Sequence, residues 1–159
     1  MISIIILCHN EERNLKDCIS SVLWADEIIV IDDHSDDSSV QIAKSLGAMV
    51  YFHEVAKDFA TQRNFGLEKA KGDWVLFLDA DERVTEALKL EIQATLALRR
   101  NRYSGYRVKR EDFLFGTALK HGETARSSFI RLGKKDSGTW VGPVHETWRL
   151  RGHIGKLEM

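Results

Sequence analysis

The sequence predicts an α/β protein: a mostly parallel sheet with helices on both faces and a mixed or antiparallel C-terminal part. Three observations predict it. The runs Ile2 to Cys8, Ile28-Ile29-Val30-Ile31 and Trp74-Val75-Leu76-Phe77-Leu78 are apolar almost without alternation, the habit of strands covered on both faces. Segments of helical spacing separate them, so the first half reads β-α-β-α-β-α-β, an alternation that makes parallel sheets with right-handed crossovers. Beyond about residue 100, short strand-like runs follow one another without helices.

Each element has its own local reason. After the first strand a helix is expected from about Glu11 to Leu23, with Leu15, Ile19, Val22 and Leu23 on one face and two acids at the positive end of its dipole. Glu27 to Asp32 is the second strand. Ser38 to Leu46 is a helix with Gly47 just past its end. Ala48 to Phe52 is a short third strand, and Phe59 to Ala70 a helix carrying Gln62, Arg63 and Asn64. Lys71-Gly72-Asp73 turns into the fourth strand. Thr85 caps a helix through about Arg99, with Leu88, Ile92 and Leu96 in register. Tyr103 to Lys109 alternates like a strand, Glu111 to Glu123 reads as a long loop, and Ser127 to Leu132 as another strand. Trp140 to Glu146, Trp148 to Leu150 and Ile154 to Leu157 complete the antiparallel part.

Length and charge bound the function. A chain of 159 residues, 43% hydrophobic and 30% charged, suits one domain over 1–159, with a first half over 1–100 and a shorter second half over 101–159. Lysine plus arginine (23) nearly balance aspartate plus glutamate (24), so no basic field draws the chain to nucleic acid. No apolar run approaches the roughly 20 residues of a membrane span. Cys8 and Cys18 have no framework spacing and read as reduced thiols of a cytoplasmic protein.

The chemistry gathers at strand ends. His9-Asn10-Glu11-Glu12, Asp32-Asp33-His34-Ser35-Asp36-Asp37 and Asp79-Ala80-Asp81-Glu82 each follow a buried strand, where open α/β sheets bind ligands. Asp79 and Asp81 lie two apart, so in extended backbone they point the same way. Two hard oxygen ligands on one face suit Mg²⁺ or Mn²⁺, above all where a phosphate supplies the remaining oxygens. A nucleoside diphosphate over this edge would take Glu11 and Asp33 (or Asp32) at the nucleoside, Asp79 at the ribose side and the metal, and Asp81 at the metal. Arg63, Arg126 and Arg131 are candidates to contact phosphate. Displacement at a sugar carbon also needs a base for the attacking hydroxyl; Glu146 is the first candidate and Glu82 the second. His145 either orients substrate or is an ordinary loop histidine. Trp140 and Trp148 are read as core rather than sugar-stacking residues. The six histidines have no zinc-ligand spacing.

Together these stretches resemble the GT-A-fold (Rossmann-like) family 2 glycosyltransferases, through Ile5 to Glu12, Ile29 to Asp37 and Gly72 to Glu82. Gln62-Arg63-Asn64-Phe65 and Val144-His145-Glu146 after Arg131-Leu132 are similar to the branch that acts in bacterial lipopolysaccharide core and surface glycan assembly. The resemblance implies transfer with inversion from a UDP-, GDP- or ADP-linked sugar to a glycan or glycolipid hydroxyl. It implies Mg²⁺ or Mn²⁺ at Asp81 and Asp79, nucleoside binding by Glu11 and Asp33, and a base at Glu146. It also implies a cytoplasmic protein, peripheral to the inner membrane at most. Two departures stand out: the first strand runs into Leu7-Cys8-His9-Asn10, and His34 stands where the second turn usually has glycine. Three other readings compete. One is a fragment that binds nucleotide sugar without completing the reaction. Another is a nucleotidyltransferase, though no Gly-rich loop follows the first strand. The third is a receiver-like phospho-acceptor at Asp79, though no late Lys-Pro appears.

Overall fold

The computed structural model describes residues 1–54, 58–98, 101–111, 113–114, 117–118, 128–143 and 145–159. The three apolar runs become β1 (Ile2–Cys8), β2 (Glu27–Asp32) and β4 (Trp74–Asp79), with β3 (Met49–Phe52) between the last two in sequence. Beyond them come β5 (Tyr103–Lys109), β8 (Ser128–Lys134) and β11 (His153–Lys156). These seven strands form one sheet in the order β11-β5-β8-β4-β1-β2-β3. The β4-β1-β2-β3 part is parallel throughout, whereas β8 runs antiparallel to both β4 and β5. The mixed C-terminal part expected from the sequence is therefore β8 wedged between the parallel core and β5.

Alternate residues of β1 feed two cores. Ile4, Ile6 and Cys8 pack with α1 (Leu15–Ser20) and α4 (Glu86–Leu96), through Leu15, Cys18, Ile19, Leu88 and Ile92. Ala43 of α2 (Ser39–Ser45) lies on the same side. Ile5 and Leu7 face α3 (Phe59–Lys69) and the hairpin of β9 (Gly138–Val141) with β10 (Thr147–Leu150). There Phe77 meets Trp140 and Trp148 edge-on at 5.0 and 5.1 Å, and the two indoles stack on each other at 5.6 Å. Both tryptophans are thus core, as expected. At Gly66 a Cβ would stand 2.7 Å from the Ile5 side chain, which is how closely α3 lies on β1. Gly47 takes φ +83° just past α2, the left-handed turn that ends a helix.

Three expectations need correction. The first helix is shorter than Glu11–Leu23, because the amides of Glu11 and Glu12 are held by Ser39 Oγ and Asp37 Oδ2 and residues 11–14 form a turn. Leu23, expected on the apolar face, is 56% exposed beyond the end of α1. The stretch read as a loop from Glu111 contains a small antiparallel ladder of β6 (Phe113–Leu114) with β7 (Thr117–Ala118). Among the described residues, no helix is long and apolar enough to cross a membrane.

Candidate active site

The carboxyl ends of β1, β2 and β4 lie side by side, because these strands are adjacent and parallel. At the β1 and β2 ends, two loops lock together. The Asn10 amide donates to Ser35 Oγ at 2.9 Å, and Asn10 Oδ1 accepts from the Asp36 amide at 2.9 Å. The Asp33 amide donates to the Cys8 carbonyl, and His9 Nδ1 lies 2.7 Å from the Asp33 carbonyl. Asp32 anchors this lattice. It is fully buried, and its carboxylate accepts from the Ser35 amide at 2.9 Å and the Ser35 hydroxyl at 2.6 Å. Its oxygens hold the loop, and it does not line the cleft beside it. Asn10 and His34 have φ of 53° and 52°. His34 thus takes the left-handed conformation for which glycine is the usual choice.

At the β4 end the chain turns at once. The Glu82 amide bonds back to the Asp79 carbonyl at 2.9 Å, and Glu82 Oε2 accepts from the Asp79 amide at 2.9 Å. The expectation that Asp79 and Asp81 share a face of extended backbone is therefore wrong: residues 80 and 81 belong to a turn. Asp79 is engaged by two guanidinium groups, Arg63 Nη2 at 2.8 Å and Arg131 Nη2 at 2.9 Å. Burial would raise its pKa, but Arg131 and Arg63 outweigh burial and hold it below the usual carboxylate range. Glu82 shifts the other way, raised chiefly by burial, with Arg131 at 3.6 Å opposing. Arg63 also donates from Nε to Glu146 Oε1 at 2.8 Å. Asp81 is exposed, and its carboxylate takes no hydrogen bond or ion pair among the described residues.

Glu11, Asp33, Arg63, Asp79, Asp81 and Glu146 line one open cleft of about 460 Å³. Six of the sequence-derived candidates thus converge. Glu82 and Arg131 line an adjoining groove that shares Asp81 with the cleft. His145 is exposed with φ 57° and is absent from the cleft lining. Arg126 lies outside the described residues. The lining includes two residues to which sequence reasoning gives no role, His9, named only as part of its strand-end cluster, and Phe59. Phe59 is 43% exposed. Its one signal in the sequence is a large apolar side chain at the first position of the expected helix. Both cysteines are free and buried; burial pushes Cys8 up to about 11 and Cys18 up to about 12.

The cleft lining carries five carboxylates against one guanidinium. Such a surface repels an anion unless a cation comes with it. Among the described residues no group of three or more His, Cys, Asp or Glu could hold a metal alone. Asp81 offers free oxygens and Asp79 is shared with two arginines, so the protein could supply one or two carboxylates to a metal. That fits Mg²⁺ or Mn²⁺, which characteristically complete their shells with substrate phosphates and water.

The model of the family described as "Glycosyl transferase family 2" matches residues 3–155. The chain is 29% identical over 160 aligned positions to the lipopolysaccharide core biosynthesis glycosyltransferase LpsC of Rhizobium meliloti, covering 97% of this chain and 59% of that protein. It is 32% identical to an uncharacterized glycosyltransferase of Rickettsia typhi, covering 92% of this chain and 50% of the other. It therefore spans about half the length of these relatives. Among solved structures, S. aureus TarS 1-349 superposes with a TM-score of 0.58 at 23% identity over 68% of this chain and 35% of TarS. The Mycobacterium tuberculosis glucosyl-3-phosphoglycerate synthase, crystallised with Mn²⁺, UDP and glucosyl-3-phosphoglycerate, superposes with 0.56 at 21% over 68% of this chain and 43% of the synthase. These neighbours establish the GT-A fold, and the family model matches nearly the whole chain: the chain belongs to glycosyl transferase family 2.

Proposed function

We propose that the protein transfers a sugar, with inversion and with help from a divalent cation, from a nucleoside diphosphate sugar to a hydroxyl of a glycan or glycolipid. The observation that carries this reading is the acid-rich cleft at the ends of β1, β2 and β4, where a diphosphate is electrostatically welcome only together with a cation. Glu11 and Asp33 face the nucleoside, and Asp79 and Asp81 face the diphosphate. Bound Mg²⁺ or Mn²⁺ would supply Lewis-acid stabilisation of the departing phosphate oxygen. Arg131, beside Asp79 and Glu82, adds positive charge to that side. Glu146 takes the proton of the acceptor hydroxyl as its oxygen bonds to the anomeric carbon. The bond from that carbon to the diphosphate breaks, and its electron pair leaves with the nucleoside diphosphate. The lipopolysaccharide relative and the UDP- and Mn²⁺-bound neighbour support a bacterial surface-glycan acceptor and a UDP-type donor. Such donors and the two buried thiols support a cytoplasmic setting.

Calorimetric titration with UDP, GDP and ADP, with and without Mn²⁺, tests the reading. Binding should require Mn²⁺ for at least one nucleotide, and Asp81→Asn should weaken it about 100-fold while leaving the melting temperature unchanged. Equal binding with and without the metal would overturn it. A binding-only domain is the alternative, and it would show Mn²⁺-dependent nucleotide binding without release of UDP, GDP or ADP from the corresponding nucleotide sugars.

A further inference from the structure

Arg63 is 3% exposed, yet it reaches two carboxylates from distant parts of the chain. Its Nε and Nη2 each make a 2.8 Å contact, one to Glu146 and one to Asp79. The guanidinium carbon sits 4.7 Å from the Trp140 ring centroid, so the group is stacked as well as paired. The next residue, Asn64, clasps the main chain of Trp140. Its Oδ1 accepts from the Trp140 amide and its Nδ2 donates to the Trp140 carbonyl, both at 2.9 Å. One turn earlier, the Phe59 amide donates to the Pro143 carbonyl at 3.3 Å. A single helix, α3, thus holds the segment leading to Glu146 at three points. That segment needs holding, since His145 immediately before Glu146 sits at φ 57°.

Resting on the reading of Glu146 as the base, we propose that Arg63 is a positioning residue: by bridging Asp79 and Glu146 it fixes the base against the donor side of the cleft. The guanidinium edge does this because Nε and Nη2 lie in one rigid plane and reach two acids at once. A lysine ammonium keeps the charge but not that span. Among the described residues, the second oxygen of Glu146 takes no hydrogen bond, which leaves it for the acceptor. Arg63 therefore acts through Glu146, and its loss should be felt in turnover more than in donor affinity.

The test needs no acceptor. Release of UDP, GDP or ADP from UDP-glucose, GDP-mannose or ADP-glucose in the presence of Mn²⁺ reports water acting as acceptor, with Glu146 as its base. With the donor that the parent protein turns over fastest, Arg63→Lys should lower kcat about 100-fold and leave the donor KM within about threefold. The double variant R63K/E146Q should be no slower than E146Q alone. Glu146→Asp retracts the carboxylate from Nε without touching Arg63, and should fall about as far as R63K. A raised KM with unchanged kcat in R63K would overturn the proposal, as would losses that multiply in the double variant or an E146D protein at the parental rate. An E146Q protein at the parental rate would instead refute Glu146 as the base, a separate failure. Should R63K not fold, judged by its thermal melt, Arg63→Gln takes its place in the same comparison with E146Q.

Discussion

The two ends of the cleft are held by different physics. At the nucleoside end, loops 24 to 28 residues apart are laced by hydrogen bonds that pair side chains with backbone amides, as in Glu11 to Ser39, Glu12 to Asp37 and Asp36 to Asn10. Buried Asp32 is at the centre, satisfied by one serine three residues away. At the diphosphate end the contacts are ion pairs between full charges. Arg63 reaches 16 residues to Asp79 and 83 to Glu146, and Arg131 reaches back 52 to Asp79. The first construction spreads its cost over many small contacts. The second concentrates it in a few charges, each dependent on its partner. One end should be tolerant of single changes and the other should not.

Replacing Arg63 with methionine is the sharpest way to break that contrast. It keeps an apolar stem but removes the guanidinium that stacks on Trp140, leaving Glu146 without its cation and Asp79 with Arg131 alone. Breaking a buried pair from one side costs about 3–5 kcal/mol. Here Asp79 is 34% and Glu146 17% exposed, so water offsets part of the loss and we expect the lower bound, about 3 kcal/mol, read as a shift in the urea midpoint. At the other end, Ser35→Ala removes a 2.6 Å bond to Asp32 and the acceptor for the Asn10 amide. The Ser35 amide still bonds Asp32, so the cost should be about 1–2 kcal/mol. If S35A cost more than R63M in the same urea series, the division between distributed and concentrated support would be wrong.

The same contrast explains what the sequence disclosed. The parallel core was legible because a doubly covered strand appears as an unbroken apolar run, and β2, α3 and β4 fall close to where such runs and their neighbours predict. The clusters at the ends of β1, β2 and β4 were legible for the same reason: strand order alone brings them to one rim. The sharing of Arg63 between Asp79 and Glu146 was not. No local pattern joins residue 63 to residue 146; only the docking of α3 against the β9–β10 hairpin brings them together. Asp32 misled for a related reason. An acidic pair at a strand end does not say which member turns inward, and pairing with Ser35 within the loop decided it. The two-residue rule failed for Asp79 and Asp81 because the strand ends at Asp79 and residues 80 and 81 turn, although both still line the cleft.

Acid makes the smallest and most specific test, because two acids three residues apart are shifted in opposite directions. Asp79 is held below its ordinary value of 3.8, so its stabilising contribution is present above that pH and is lost as the pH falls through its lower folded-state value. Glu82 is raised above its ordinary value of 4.5, chiefly by burial. In the window just above 4.5 the folded protein binds more of its proton than the unfolded chain does, so stability declines there as pH rises. Thermal melts between about pH 2 and pH 6 should therefore separate the two sites by sign. The gap between the parent and Asp79→Asn should narrow as pH drops below 3.8. Glu82→Gln, which cannot ionise, should gain on the parent as pH rises past 4.5. A gap for Asp79→Asn that stayed constant down to the lowest pH would mean that the two arginines do not stabilise the charged form of Asp79. The concentrated end of the cleft would then be held by shape rather than by charge.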